Sequence, residues 1–118
     1  MRLLWIPLCV LLLPWPLPAW AHAFPERSQP RVGSTVNASP PQVRIWFDAD
    51  IEPLFSTLYV KNAQGRQVST GKGHLASNSA RLLETHVPAL PPGVYHVYWS
   101  VVARDGHRTE GRYRFIVR

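Results

Sequence analysis

The chain has 118 residues, 46% of them hydrophobic, with thirteen Lys and Arg against seven Asp and Glu for a formal net charge of +6. That length supports one small core rather than two. The single cysteine excludes an internal disulfide. The arginines are dispersed rather than blocked together, which fits a solvated basic surface better than a nucleic-acid footprint.

The first segment reads as a secretory leader. Arg2 supplies a short positive start, Leu3 to Leu13 is an almost unbroken apolar run, and Pro14, Pro16 and Pro18 interrupt any helix before Ala19-Trp20-Ala21. Small residues at that spacing mark a signal-peptidase site. Prolines so placed argue against a retained spanning helix. Cleavage after Ala21 divides the chain into a leader, 1–21, and a mature domain, 22–118, and predicts export. It also removes Arg2, Cys9 and the only methionine, Met1. The mature domain would then hold no sulfur donor at all, so any metal it binds must be held by nitrogen and oxygen.

From residue 22 onward the pattern is all-β. Val43, Ile45 and Phe47 alternate with Arg44 and Trp46, the period-two sign of a strand. Thr57 to Val60 follows, then Asn62-Ala63-Gln64-Gly65 as a turn, with Arg66 to Thr70 expected as its return strand. Gly71 to Asn78 is small and polar and reads as a loop, and Ala80 to Val87 as a strand. Pro88, Pro91, Pro92 and Gly93 punctuate the next connection. Val94 to Val102 carries the strongest strand signal: Tyr95, Val97, Trp99 and Val101 share one face, and Val94, His96, Tyr98 and Ser100 the other. In Arg112 to Arg118, Tyr113, Phe115 and Val117 should point inward and Arg112, Arg114 and Arg118 outward. No segment has a helical period. About seven short strands between Pro/Gly turns predict an immunoglobulin-like β-sandwich.

Chemistry concentrates in two places. After cleavage His22 would be the first residue, presenting a free α-amine and an imidazole that can chelate one ion. Asp105-Gly106-His107 presents a carboxylate and an imidazole at i and i+2, with Gly106 allowing a tight turn just beyond the most apolar strand. Brought together, His22, Asp105 and His107 form a set of three nitrogens and one oxygen, which suits tetragonal Cu(II). Zn(II) can use the same donors and prefers a tetrahedron. The remaining histidines carry less: His96 lies mid-strand on the outer face, His74 in a glycine-rich loop, and His86 before Val87-Pro88. Asp48, Asp50 or His86 stands open as a fifth ligand.

These residues resemble those of the CopC family of periplasmic copper-binding proteins. The likeness begins at His22-Ala23 and continues through Ser28-Gln29-Pro30, Gly33, Pro40 to Phe47, Phe55-Ser56 and Tyr59-Val60. Its most specific stretch runs from Gly93 to His107, G-x-Y-x-V-x-W followed by D-G-H, and it closes with Gly111 and Phe115-Ile116-Val117. The resemblance implies a Greek-key sandwich or barrel and a Cu(II) site at His22 (amine and imidazole), Asp105 and His107. It also implies a role in periplasmic copper homeostasis or resistance, with a CopD-like inner-membrane partner. With an amine, two imidazoles and Asp105 filling the equatorial positions, the site favours holding copper, as a carrier or buffer, over reacting at it. Two departures stand out. Some members carry a methionine-rich Cu(I) site, for which this domain has no thioether. Some place a glutamate two residues after the strand phenylalanine, where this chain has Ala49. Two other classes fit parts of the sequence: a copper oxidase built on an N-terminal histidine, and a metal-free immunoglobulin-like assembly module. Asp105 filling the position that an oxidase leaves open argues against the first; the second would have the same sandwich, so metal stoichiometry rather than strand pattern discriminates it.

Overall fold

The computed structural model describes residues 2–4, 13–16 and 22–118. The expected leader therefore lies mostly outside the described residues. Its described apolar side chains, Leu3, Leu4, Leu13 and Trp15, are exposed, and the buried core begins at Ala23.

The domain has eight strands: β1 (Pro25–Gln29), β2 (Thr35–Val36), β3 (Gln42–Phe47), β4 (Thr57–Asn62), β5 (His74–Leu75), β6 (Leu82–His86), β7 (Gly93–Val102) and β8 (Arg108–Val117). One 3-10 turn, Pro53–Phe55, precedes β4. The strands form two four-stranded sheets, ordered β1-β3-β6-β5 and β2-β8-β7-β4. Both sheets end in edge strands, so the architecture is an open sandwich rather than a closed barrel. All pairings are antiparallel except the short β2–β8 pair.

Alternation decides which residues enter the core. In β3, Val43, Ile45 and Phe47 are buried while Gln42, Arg44 and Trp46 are only partly so. In β7, Tyr95, Val97 and Val101 are buried, with Trp99 packed at the margin, and in β8, Phe115 and Val117 are buried. Phe47 meets Trp99 edge-on across the sandwich at 5.4 Å, and Tyr95 stacks on Phe115 at 5.6 Å. Burying each such side chain contributes roughly 1.5–3 kcal/mol, so the inward faces of β3, β7 and β8 carry much of the fold.

Several expectations need correction. Eight strands replace about seven, because β2 and β5 span two residues each, too few to leave an alternation in sequence. The return strand over Arg66 to Thr70 is absent: Lys61 and Gln67 form one isolated bridge. Beyond it Val68 N and Ser69 N both donate to the Val60 carbonyl, while Ser69 Oγ accepts from Val60 N. Two donors spent on one carbonyl, and a side chain standing in for the backbone, halt the ladder. The segment Gly71 to Asn78 is not wholly a loop, since β5 pairs with β6 there.

Candidate metal centre

One end of the sandwich is built by the β7–β8 turn. Val102 pairs with Arg108. Between them Gly106 N donates to the Ala103 carbonyl at 2.9 Å and Ala103 N to the His107 carbonyl at 3.0 Å. Gly106 has φ +90°, a conformation open to glycine and strained for other residues. Asp105 caps the turn by accepting His107 N at 2.9 Å through Oδ1, the local bond that makes Asp a turn residue. The turn is also stitched to the chain beyond β3: Ile51 bridges Ala103, Arg104 N donates to the Asp50 carbonyl, and Glu52 N to the Val102 carbonyl.

The segment ahead of β1 docks on this same end. Ala23 is completely buried. Its carbonyl accepts from Thr109 Oγ1 at 2.5 Å across 86 residues of sequence. Phe24 is clasped by Asp48, which accepts Phe24 N through Oδ1 at 2.7 Å and donates its own N–H to the Phe24 carbonyl at 2.9 Å. His22, one residue upstream, is thereby held at the rim. Its ring lies 4.8 Å from the His107 ring, centroid to centroid, at 43°. Asp105 completes the group, with Oδ2 at 3.2 Å from His107 Nδ1. Its carboxyl is held below the ordinary value, first by the His107 backbone bond and further by the His107 side chain and the charges of His107 and His22, with desolvation opposing.

The three expected residues thus meet. Two imidazoles bound to one ion have centroids no more than about 6.4 Å apart, because a metal–nitrogen bond of about 2.0 Å leaves each ring centre about 3.2 Å from the metal. At 4.8 Å the His22 and His107 rings satisfy that limit. Even so, among the described residues no group of three or more His, Cys, Asp or Glu is assembled to hold a metal. Both Asp105 oxygens face His107, Oδ1 toward its N–H and Oδ2 toward its Nδ1. In the full chain, moreover, the His22 nitrogen is a peptide nitrogen bonded to Ala21.

The other acidic and histidine positions have different tasks. Asp50 pairs with Arg81 at 3.0 Å and Arg104 at 3.3 Å, and Glu52 lies 3.9 Å from Arg104. Asp48 holds the Phe24 backbone. His86 sits opposite Gln42, at the far end of β3 from the rim. Sequence reasoning missed the anchoring parts played by Thr109 and Asp48. An isolated Thr in a strand and one carboxylate among three carry no sign that their partners are distant backbone groups.

Fold and rim together define a small all-β sandwich protein with a histidine–carboxylate group at one end. The CopC domain model matches residues 25–118, and the chain belongs to the CopC family. It is 30% identical over 100 residues to Protein YobA of Escherichia coli K12, covering 84% of this chain and 81% of that protein. It is 32% identical over 108 residues to the copper transport protein CutJ of Bacillus subtilis, covering 91% of this chain but only 20% of CutJ, so it corresponds to about a fifth of that relative. The crystal structure of CopC from Methylosinus trichosporium OB3b superposes with a TM-score of 0.76 at 31% identity, covering 81% of this chain and 93% of that one.

Proposed function

We propose that residues 22–118, released by cleavage after Ala21, form a periplasmic Cu(II) carrier or buffer in copper homeostasis or resistance. Copper is its cargo, not a catalytic cofactor. His22 binds through its new α-amine and its imidazole, with Asp105 and His107 as the remaining ligands, and a CopD-like inner-membrane protein is the partner for transfer. The fold is read as the immunoglobulin-like, Greek-key variant of the sandwich. The observation that carries the functional reading is the 4.8 Å approach of His22 to His107 beside Asp105, maintained by the Thr109–Ala23 and Asp48–Phe24 bonds. CutJ, named as a copper transport protein, supports copper as the cargo. A sulfur-free donor set favours Cu(II) over Cu(I). The ligands bind in deprotonated form, so uptake releases protons and weakens as pH falls.

The test is expression through the chain's own leader, a mass measurement of the mature N-terminus, and Cu(II) titration followed by electron paramagnetic resonance. One tight ion with nitrogen-rich tetragonal character is expected. One residue added ahead of His22 should sharply weaken binding, as should His107→Ala. Equal affinity in the extended protein would overturn the chelate.

A further inference from the structure

A second histidine pair stands on the outer face of the other sheet. His74 on β5 lies opposite Glu84 on β6, and His86 is two residues further along β6 on the same face. That diagonal places side chains within reach of one another across an antiparallel pair. The two rings meet at 5.4 Å, nearly parallel at 29°. Glu84 stands beside them, with Oε1 3.8 Å from His74 Nε2 and Oε2 accepting from Arg44 Nε at 2.8 Å. His74 and His86 are both exposed.

The backbone beneath the pair is firmly seated. Gly73 has φ +89°, and a Cβ there would come within 3.0 Å of Leu58 Cβ, so the chain before His74 lies directly on the core. Thr70 N donates to the His86 carbonyl at 3.1 Å, and Thr85 Oγ1 to the Thr70 carbonyl at 3.4 Å. The loop that delivers His74 is thus tied to the strand that carries His86.

We infer that His74 and His86 form a second divalent-cation site, which takes Zn(II) through two imidazoles with water completing the coordination. With each ring centre about 3.2 Å from a shared ion, the 5.4 Å separation lies inside the limit of about 6.4 Å for two imidazoles on one metal, and because the lone pairs lie in the ring planes the stacked, exposed rings turn edge-on to take it. Glu84 turns Oε1 toward His74, while Arg44 on Oε2 offsets much of its charge, so the two imidazoles carry the binding. His86 lies level with Gln42 and His74 with Arg44, six and four residue steps along β3 and its extension from Asp48 at the rim, which separates the two sites by roughly 13–20 Å at a strand's rise per residue. The site is therefore independent of the proposed copper ligands.

The experiment uses the mature domain with selectively 15N-labelled histidine. Zn(II) is titrated while imidazole resonances are followed, alongside calorimetry of His74→Ala, His86→Ala and His107→Ala. Zn(II) should shift the His74 and His86 resonances together. Either single substitution at the pair should weaken that binding at least tenfold, and His107→Ala should leave it unchanged. The two side chains are exposed, so both substitutions should retain the fold, checked by thermal denaturation; His86→Gln serves as a second variant. Zn(II) shifts confined to His22 and His107, or unchanged Zn(II) affinity in both His74→Ala and His86→Ala, would overturn the site. Failure of copper binding at the rim would leave these Zn(II) outcomes intact.

Discussion

The bond from Thr109 Oγ1 to the Ala23 carbonyl joins the two halves of the rim, so Thr109→Val is the most direct perturbation of its architecture. Valine keeps the shape and removes the donor. Ala23 is completely buried, so its carbonyl then loses a partner that water cannot readily replace. Such a loss costs roughly 1–3 kcal/mol. Taking about 2 kcal/mol, a domain of this size should melt roughly 8–16 °C lower. The Asp48–Phe24 clasp remains, so the damage should centre on His22 and Ala23. If all of it falls on the docked segment, Cu(II) affinity should weaken by at most roughly 30-fold. The assay is thermal denaturation of the metal-free mature domain, followed by Cu(II) competition titration, with Thr109→Ser as the control that keeps the hydroxyl. A Thr109→Val protein that melts with the wild type would refute the reasoning. It would show that the carbonyl finds another partner and that the strap does not depend on this bond.

Gly111 lies under the Trp99 indole, where a Cβ would come within 2.6 Å of Cζ2; Gly111→Ala should therefore destabilise by about 1–3 kcal/mol, and urea denaturation should show the loss largely removed in a Trp99→Leu background. Burial pushes the Tyr113 phenol up to about 12, with the nearby Ser28 offsetting part of the effect, and its hydroxyl makes no well-formed hydrogen bond. The unfolded chain therefore ionises first as pH rises past about 10 while the folded chain keeps its proton, so stability is intact below pH 10 and falls between about 10 and 12, by about 3 kcal/mol across two units. Tyr113→Phe should remove that alkaline component while leaving neutral stability unchanged or slightly higher; an identical alkaline decline in both proteins would count against it.

Legibility differed from element to element. Strands β3, β7 and β8 could be read because each buries one face and exposes the other, and that condition writes itself into alternate residues. The inward set Tyr95, Val97 and Val101 emerged in the same way. β2 and β5 could not be read, because two residues hold no period and their strand character comes wholly from a neighbour's backbone. The failed return strand over Arg66 to Thr70 shows the converse: its turn signal is sound, but Ser69 diverts the Val60 donor before a ladder forms. At the rim, the residue types at His22, Asp105 and His107 announced nitrogen and oxygen donors. The parts played by Thr109 and Asp48 did not, since their partners lie 86 and 24 residues away.

By itself, the sequence determined the all-β class, the inward faces of the long strands, the small basic domain and the absence of sulfur donors after residue 21. These follow from residue identity and short-range period, which need no knowledge of what lies across the core. Only the tertiary structure decided which histidines meet. It paired His22 with His107 and His74 with His86, placed His86 far from the rim, and turned Asp105 onto its own loop. Such distances depend on strand order and register, and a shift of one residue in register would carry every side chain of a strand to the opposite face.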